Sequence, residues 1–490
     1  SRMMAMDQVK LPRTSEVSDE AAAGLPAIGL EAEFSTVVDG VVQKPEDVFG
    51  SPRRVVRGPL MHRIGRSYHL PTGGALYFDT GVMELATPMI EITRGCGARG
   101  TRSLWESVAF LRSELDAWEV ATRRTVRLVG FSAHYNVSFD AEGRAPTNDR
   151  CVESLAYLLT HVLPVPVMLL AANRRSTGVG VRPRGNRIEI TADFTPDPAL
   201  MAATATLIVG IVRDVMQWSS YSIDQLAARG IPVVRGFVPV PHSSRKGWVA
   251  KHSCFPANPF TSDVDHRRWT LRSGERVSLR TMAERTTMHF WSAIRAVGDS
   301  RSLGLIAAVM RGRSSSLLEL DDRPTSYDDV GRMCALSDLF PTARLSRSRY
   351  ERVLGHAIAG HSVRIGQTWH KPVGVRGWTE VVFRREHDGA RRVHSLDELL
   401  PHLADWDRSS QRRVHERRGA SEQKRAQERR LTERRRDIGE LAESPGVPET
   451  REARADLEVV AFADVKESQP PVPKPRTPKA ESPLVIVARF

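Results

Sequence analysis

Two glutamates, two residues apart, lie in an otherwise apolar segment near the start of the chain, GLEAEF at residues 29–34. Alternation along a β-strand sends residues i and i+2 to the same face, so Glu31 and Glu33 would project together. Two carboxylates facing one way repel each other, and burying them unpaired is costly unless a cation lies between them. Carboxylate oxygens are ligands that Mg²⁺ accepts, usually while it also holds the phosphates of a substrate. The spacing therefore predicts a metal and nucleotide site.

Four later segments carry further residues that such a site needs. They are LPTGGALYFD (70–79), MELATP (83–88), GFSAHYNVS (130–138) and RIEITAD (187–193). Taken alone, His134 could be a hydrogen-bonded core histidine and Glu84 could cap a turn. Asp79 and Glu84 are the stronger signal, because a turn, a strand and two acids occur there at fixed spacing. No Gly-x-x-x-x-Gly-Lys loop is present in the sequence, which disfavours a P-loop nucleotide site.

These segments carry a family resemblance. The stretch from LPTGGALYFD to Thr87-Pro88 resembles the ligase and deamidase that act on prokaryotic ubiquitin-like protein (Pup), as does GLEAEF. GFSAHYNVS is similar to the His-Tyr-Asn-x-Ser stretch of glutamate-cysteine ligases, and RIEITAD fits the strand that brings another acidic ligand to the site in those enzymes. Both groups are glutamine synthetase-like carboxylate-amine ligases. The motifs follow the family order over residues 27–200.

The resemblance implies roles for individual residues. It implies metal ligands at Glu31, Glu33, Glu84, His134 and Glu189, with His134 as a metal or phosphate contact. Asp79 matches the catalytic aspartate of the Pup enzymes. Nucleotide or phosphate contacts are expected from Arg182, Arg184 and Arg187, and substrate contacts from Asn136 and Ser138. The alternative for the arginines is a surface loop.

The chain also departs from those families at two points. Val82-Met83 stands where the Pup enzymes have His-Pro before the second acid, and Thr191 stands where glutamate-cysteine ligases have an arginine. Arg182, Arg184 and Arg187 are close enough in sequence to take over the handling of anionic oxygens. Substrate identity is therefore less closely defined by the motifs than the fold is.

The activity implied is ATP- and Mg²⁺-dependent formation of an amide or isopeptide bond through an acyl phosphate. The carboxylate donor would be glutamate or a peptide or protein ending in glutamate, and the amine acceptor a small molecule or a protein lysine. A deamidase or depupylase type of hydrolase on the same fold is an alternative, in which water replaces the amine. A non-catalytic binding protein that uses a basic tail is the other.

Composition limits the class of protein. At 490 residues and 41% hydrophobic composition the chain is long enough for a large core, and 71 Lys and Arg against 58 Asp and Glu give a formal charge of +13. Such an excess favours acidic partners. Cys96, Cys151, Cys254 and Cys334 are widely spaced, which indicates neither a zinc site nor a disulfide framework and fits a reducing cytoplasm. Residues 155–172 are apolar, but their prolines favour a broken, buried helix over a membrane span.

The pattern of elements predicts an α+β fold in which strands present the acids and helices pack behind them; the resemblance implies that this is a glutamine synthetase-like catalytic domain with an antiparallel sheet. Strands are expected over residues 27–38, 75–84, 127–139 and 187–192, and helices over residues 103–123, 151–172, 199–216 and 278–297. Residues 230–241 look strand-like, residues 301–366 mostly helical, and residues 369–384 form a hairpin around Gly374.

We expect four regions along the chain. Residues 1–24 have no apolar run and predict a disordered leader rather than a signal peptide. Residues 25–407 form the catalytic domain, of which 301–407 is the less regular part. Residues 408–443 are rich in Arg and Glu and predict either a solvated helix or disordered run, or a contact with an acidic protein or nucleic acid. Residues 444–490 form a proline-rich tail. No membrane is expected as a partner.

Overall fold

A computed structural model describes residues 24–138, 151–242, 246–319 and 346–410, together with six helical positions between 422 and 432. The chain divides into a compact unit, Ser1–Arg408, and a second unit, Ser409–Phe490. The predicted leader up to residue 23, the proline-rich tail and most of the Arg-rich segment lie outside the described residues, as does Cys334. The other three cysteines are free thiols.

Eighteen named strands form three sheets in the described part of the chain. They are β1 (Ala27–Val38), β2 (Val41–Gln43), β3 (Met61–Ile64), β4 (Ser67–His69), β5 (Ala75–Asp79), β6 (Val82–Ala86), β7 (Ile90–Glu91), β8 (Val126–Ser138), β9 (Val179–Arg184), β10 (Arg187–Asp193), β11 (Val240–Pro241), β12 (Trp248–Ala250), β13 (Trp269–Thr270), β14 (Arg276–Val277), β15 (Val363–Ile365), β16 (Thr368–Arg376), β17 (Glu380–Arg385) and β18 (Arg391–Ser395). The large sheet has the order β11-β12-β9-β10-β8-β1-β6-β5-β4-β3, with β2 and β7 also paired to β1.

Eleven named α-helices lie in the described ranges, in addition to the helical residues 403–410. They are α1 (Pro45–Phe49), α2 (Cys96–Thr122), α3 (Val152–Val162), α4 (Pro164–Ala171), α5 (Pro198–Met216), α6 (Asp224–Ala228), α7 (Leu279–His289), α8 (Trp291–Val297), α9 (Ser300–Met310), α10 (Arg349–Ile358) and α11 (Leu396–Leu399). Four short 3-10 turns accompany them: Pro52–Arg54, His252–Cys254, Leu317–Glu319 and Leu400–His402.

Strand β1 has the predicted boundaries and the predicted alternation. Its buried positions include Ile28, Leu30 and Phe34, whereas Glu31 and Glu33 are only half-buried. The apolar side chains join the large hydrophobic core with those of α2 and α5. One face of the sheet is therefore covered by helices, and the glutamates lie on the opposite face.

Helices α2 and α5, which cover this face of the sheet, pack closely against each other. A Cβ at Gly97 of α2 would lie 2.5 Å from the Oγ1 atom of Thr206 and 2.9 Å from its backbone nitrogen, so a side chain there would force the helices apart. Helix α5 is long and apolar enough to cross a membrane by length and composition, but 78% of that stretch is buried within the protein. The apolar segment at residues 155–172 forms α3 and α4, bent by 61° at Leu163, as the prolines predicted.

A smaller sheet, β15-β16-β17-β18, lies in the same compact unit as the large one. Its inner face packs with α10 and α11 into a second hydrophobic cluster that includes Tyr350, Phe383 and Trp406. Arg102 of α2 and Glu351 of α10 form a buried ion pair, 2.9 Å between Nη2 and Oε1. Breaking such a pair is strongly unfavourable, so this contact helps to fix the two layers together.

The structure confirms an α+β fold and most of the predicted elements, and it corrects three. Helix α2 starts at Cys96 rather than at residue 103. Residues 230–241 are mostly irregular, because only Val240–Pro241 is a strand and Val234 makes an isolated bridge. The hairpin of β16 and β17 turns after Arg376, whereas Gly374 marks a shift of register next to the bulged Val373. Where residues 301–366 are described, they contain α9, α10 and extended chain.

Candidate active site

The polar face of the large sheet brings together residues that are far apart in sequence. Strand β1 lies between β6 and β8, and in this register Glu33 stands opposite Glu84 and Glu31 stands opposite His134. Directly opposed residues in an antiparallel pair share a face. Because Glu31 and Glu33 also share a face, the four side chains form one acidic cluster, defined by Glu31, Glu33, Glu84 and His134.

Each acid of the cluster has a specific hydrogen-bond partner. His134 Nδ1 lies 2.9 Å from Glu31 Oε2, and its Nε2 lies 3.9 Å from Glu33 Oε1. The Ser132 hydroxyl donates to Glu33 Oε2 at 2.5 Å, and the Tyr77 hydroxyl donates to Glu84 Oε1 at 2.6 Å. These bonds fix the orientation of the carboxylates, which favours ligand binding without large rearrangement.

The spacing of three donors fits a metal ion. Glu31, Glu84 and His134 each offer one ligand atom, and these atoms all lie within 4.8 Å of one another. An octahedral ion with bonds of about 2.1 Å places its ligands roughly 3 to 4.2 Å apart, so a small closure of the three side chains would let them fill three of its six positions and leave the others for water or phosphate oxygens. The residues present therefore fit Mg²⁺, with His134 as the less usual ligand of a hard cation.

The pKa values within the acidic cluster are shifted because the acids are buried close to one another. Burial and the neighbouring charge of Glu31 raise the pKa of Glu84 from 4.5 to about 8. Burial would also raise the pKa of Glu31, but the hydrogen bond and charge of His134, helped by Arg187 and Arg184, lower it to about 2. Burial works against the imidazolium of His134, yet the hydrogen bond and charge of Glu31 raise its pKa above the ordinary value. A divalent cation would relieve this repulsion.

The acidic cluster opens into a cavity of about 860 Å³. The same cavity is also lined by the basic residues Arg182, Arg184, Arg187 and Lys246. The predicted residues Asp79 and Glu189 line it as well. A cavity lined by both carboxylates and guanidinium groups has the chemistry for a metal-bound polyphosphate.

Glu189, for which the family resemblance implies a role as metal ligand, contacts two arginines in the structure. Its carboxylate is paired with Arg182, and its Oε2 lies 2.7 Å from Arg184 Nη2. Glu189 stands opposite Arg182 in the ladder of β9 and β10, and it lies outside the group of three residues that converge on one point. In this arrangement its nearest cations are the two arginines, which it orients at the cavity wall.

Asp79 ends strand β5 at the rim of the large cavity. The two-residue turn Thr80-Gly81 joins β5 to β6, with φ angles of 46° and 95°. Positive φ at both positions is typical of the hairpin turn that matches the twist of antiparallel strands. The Thr80 hydroxyl donates to Asp79 Oδ1 at 3.0 Å. This tight turn places Asp79 and Glu84 on one hairpin, as their spacing predicted.

Asn136 and Ser138 line a small adjoining pocket of about 80 Å³. Arg187 Nε donates to Asn136 Oδ1 at 2.9 Å, whereas Ser138 Oγ accepts the backbone N–H of Ala27 at 2.8 Å. Both predicted substrate contacts therefore have protein partners. The pocket shares Glu31, Arg187 and other lining residues with the larger cavity, and its surface is mostly apolar.

Sequence reasoning missed several residues of the site. Tyr77 and Ser132 bind the acids, and Tyr77 could have been found because strand alternation places it on the same face as Asp79. Trp378, from the turn of β16 and β17, lines both cavities, and the Arg63 guanidinium lies 4.0 Å from the centre of its ring. No local pattern indicated that a residue so distant in sequence would reach the site.

No family model matches the sequence, and no curated protein matches it either. Thirteen chains of solved structures match, among them one from the complex between prokaryotic ubiquitin-like protein Pup and its ligase PafA. It shares 11% identity with this chain, covers 78% of it and 92% of its own length, and has a TM-score of 0.41. The chain is similar to that structure at this level, which carries no information on the roles of individual residues.

Proposed function

We propose that this protein is an ATP- and Mg²⁺-dependent carboxylate-amine ligase with a glutamine synthetase-like catalytic domain. The observation that carries the proposal is the convergence of Glu31, Glu84 and His134 on one face of an antiparallel sheet, inside a cavity that is also lined by arginines. The sequence motifs that resemble Pup ligases and glutamate-cysteine ligases coincide with this face.

Different residues of the site would serve different parts of such a reaction. The acidic cluster would hold Mg²⁺, which neutralises phosphate oxygens during phosphoryl transfer. Arg182, Arg184 and Arg187 would bind the anionic oxygens of the nucleotide or of the carboxylate donor through forked guanidinium donors. Arg182 stands opposite Glu189, which stands opposite Asn136 in the strand ladder, and these residues therefore lie on the same face of the sheet as the acidic cluster, which would put the phosphates next to both the metal ion and the guanidinium groups.

Amide formation requires two further steps at the substrate. The carboxylate attacks the γ-phosphorus of ATP to give an acyl phosphate and ADP, and an amine then displaces phosphate from the acyl carbon. Asp79 at the cavity rim would accept the proton that the amine loses. The proposed donor is glutamate or a peptide or protein ending in glutamate, and the acceptor is a small amine or a protein lysine. A cytoplasmic location is part of the proposal.

The test is ATP turnover with Mg²⁺ in the full chain, with glutamate and simple amines or with a peptide ending in glutamate. We expect substrate-stimulated ADP release that disappears in Glu31→Ala and persists in Asp224→Asn, a control on the exposed surface of α6. Release of ammonia or of a free carboxylate without net ADP formation would favour the hydrolase instead. Absence of both nucleotide binding and turnover would favour a binding protein.

A further inference from the structure

The outer face of the small sheet carries a row of cations. Lys371 of β16 stands opposite Arg384 of β17, which in turn stands opposite Arg391 of β18. All three side chains are exposed. Opposed residues in antiparallel ladders share a face, and adjacent strands lie about 4.8 Å apart, so the three positive charges cross the sheet in one line. We call Lys371, Arg384 and Arg391 the basic row.

The positive charges of the basic row are not neutralised by carboxylates within the described residues. No carboxylate there forms an ion pair with any of its three members, nor with Arg364 on the neighbouring strand β15. The acids at the two ends of this face have other partners, since Glu380 binds Arg376 and Glu386 accepts a hydrogen bond from Ser362. Like charges directly opposite each other destabilise a sheet. An anionic partner would remove that cost.

An aromatic side chain lies beside the basic row. Trp369 is two residues before Lys371 on β16, which places it on the same face, and it stands opposite Arg364. Its side chain is 40% exposed, and Val373 and Val393 on this face are exposed to a similar extent. An accessible indole next to cations provides a stacking surface for a flat ring, in addition to contacts for phosphates.

We propose that this face binds single-stranded nucleic acid. The basic row would contact successive phosphates, and Trp369 would stack on a base. An acidic polypeptide would satisfy the charges, but its aliphatic carboxylates would gain little from the indole, so the combination favours nucleotides. Because phosphate contacts and stacking on one indole carry no base-specific hydrogen bonds, the binding would depend little on sequence. This function is separate from the ligase activity proposed for the large sheet.

The experiment measures fluorescence anisotropy of labelled oligo-U and oligo-dT, about twelve nucleotides long, with the full chain. Lys371→Ser/Arg384→Ser/Arg391→Ser should weaken binding by about tenfold or more. In a plot of log K against the logarithm of the salt concentration, the variant should also show a slope that is smaller in magnitude by about 2. Each single-strand phosphate contact contributes about 0.7 to this slope. Trp369→Ala should weaken binding about fivefold without changing that dependence.

A matched control removes three exposed arginines elsewhere, Arg268→Ser/Arg272→Ser/Arg276→Ser, and so changes net charge equally. It should alter affinity less than twofold. If this control loses as much affinity as the basic-row variant, or if the wild type binds neither oligomer, the proposal is wrong. It is also wrong if labelled poly-glutamate binds as tightly as the oligomers and Trp369→Ala has no effect on any of them, because the partner is then an acidic protein.

Folding of the variants provides an independent readout. Since the three cations repel one another, their removal should leave the thermal midpoint unchanged or raise it, while nucleic-acid binding falls. A basic-row variant with a lowered midpoint and a proportional loss of oligomer binding would show a structural role for these residues and would contradict the proposal.

Discussion

The acidic cluster on the large sheet and the basic row on the small sheet use the same backbone geometry. In each case antiparallel pairing places like charges opposite one another, Glu33 with Glu84 and Arg384 with Arg391. The surroundings differ. The acids lie within a cavity and are 4% exposed at Glu84, whereas the cations extend from an open face.

Enclosure changes what the charges can do. In the cavity, hydrogen bonds from Tyr77 and Ser132 hold the carboxylates at fixed positions, and burial moves the pKa of Glu84 far above its ordinary value. On the open face, long flexible side chains separate their charges in water, where repulsion is weak. An enclosed cluster therefore favours a small cation at a defined point, and an open row favours an extended polyanion.

The largest expected effect is on turnover. Glu84→Gln should reduce the proposed ATP turnover at least about a hundredfold, because it removes a charged ligand that contributes several kcal/mol to transition-state stabilisation. The basic-row triple variant should keep the turnover of the wild type. Initial rates of ADP formation at saturating ATP measure both. Equal losses in the two variants would mean that the two charged faces belong to one site, and the contrast drawn above would fail.

A second prediction concerns His69, which ends β4 next to Trp378 and is fully buried. Its Nδ1 lies 3.0 Å from the Gly73 carbonyl oxygen, and burial, with the charge of Arg63, lowers its pKa from 6.5 to about 4. Between these pH values the unfolded chain binds a proton that the folded protein does not. Stability is thus fully present above about pH 6.5 and is lost as pH falls towards 4, by about 2 kcal/mol at pH 5.

Urea unfolding at about pH 7.5 and pH 5 checks this value. His69→Asn keeps a donor near the Gly73 carbonyl but cannot titrate, so the difference in unfolding free energy between the two pH values should shrink by about 2 kcal/mol. An unchanged difference would show that other groups cause the acid sensitivity and that enclosure near the cavity does not govern this histidine.

Local sequence was sufficient for the parts of the site that depend on strand alternation. The boundaries of β1, the pairing of Asp79 with Glu84 on one hairpin, and the convergence of Glu31 with His134 follow from periodicity, turn residues and motif order. The first turns of α2, before the predicted start at residue 103, contain Gly97 and Gly100, which are weak helix formers but here allow close packing against α5 and β1.

Glu189 was expected at the metal, but across the short hairpin of β9 and β10 it stands opposite Arg182 and pairs with it, a contact that the motif resemblance did not indicate. Contacts between distant segments could not be read from local patterns at all. The position of Trp378 at the cavity depends on how the small sheet and its helices pack in the protein, a packing that includes the ion pair of Arg102 and Glu351. This position of Trp378 is a consequence of tertiary packing, whose energy is spread over many residues that carry no local pattern.

The smallest effect is predicted for Tyr77→Phe, which leaves the acids in place and removes one hydrogen bond. The Tyr77 hydroxyl donates to Glu84, and that bond favours the carboxylate form; its loss should raise the pKa of Glu84 further and cost about 1 kcal/mol of stability. Affinity for Mg²⁺, measured from the rise in thermal midpoint with metal concentration, should fall about tenfold. Tyr68→Phe, on β4 outside the cavity, is the matched control and should leave affinity unchanged. If Tyr77→Phe binds Mg²⁺ as the wild type does, the orientation of Glu84 is set by the strand alone, and enclosure contributes less to the cluster than its hydrogen bonds indicate.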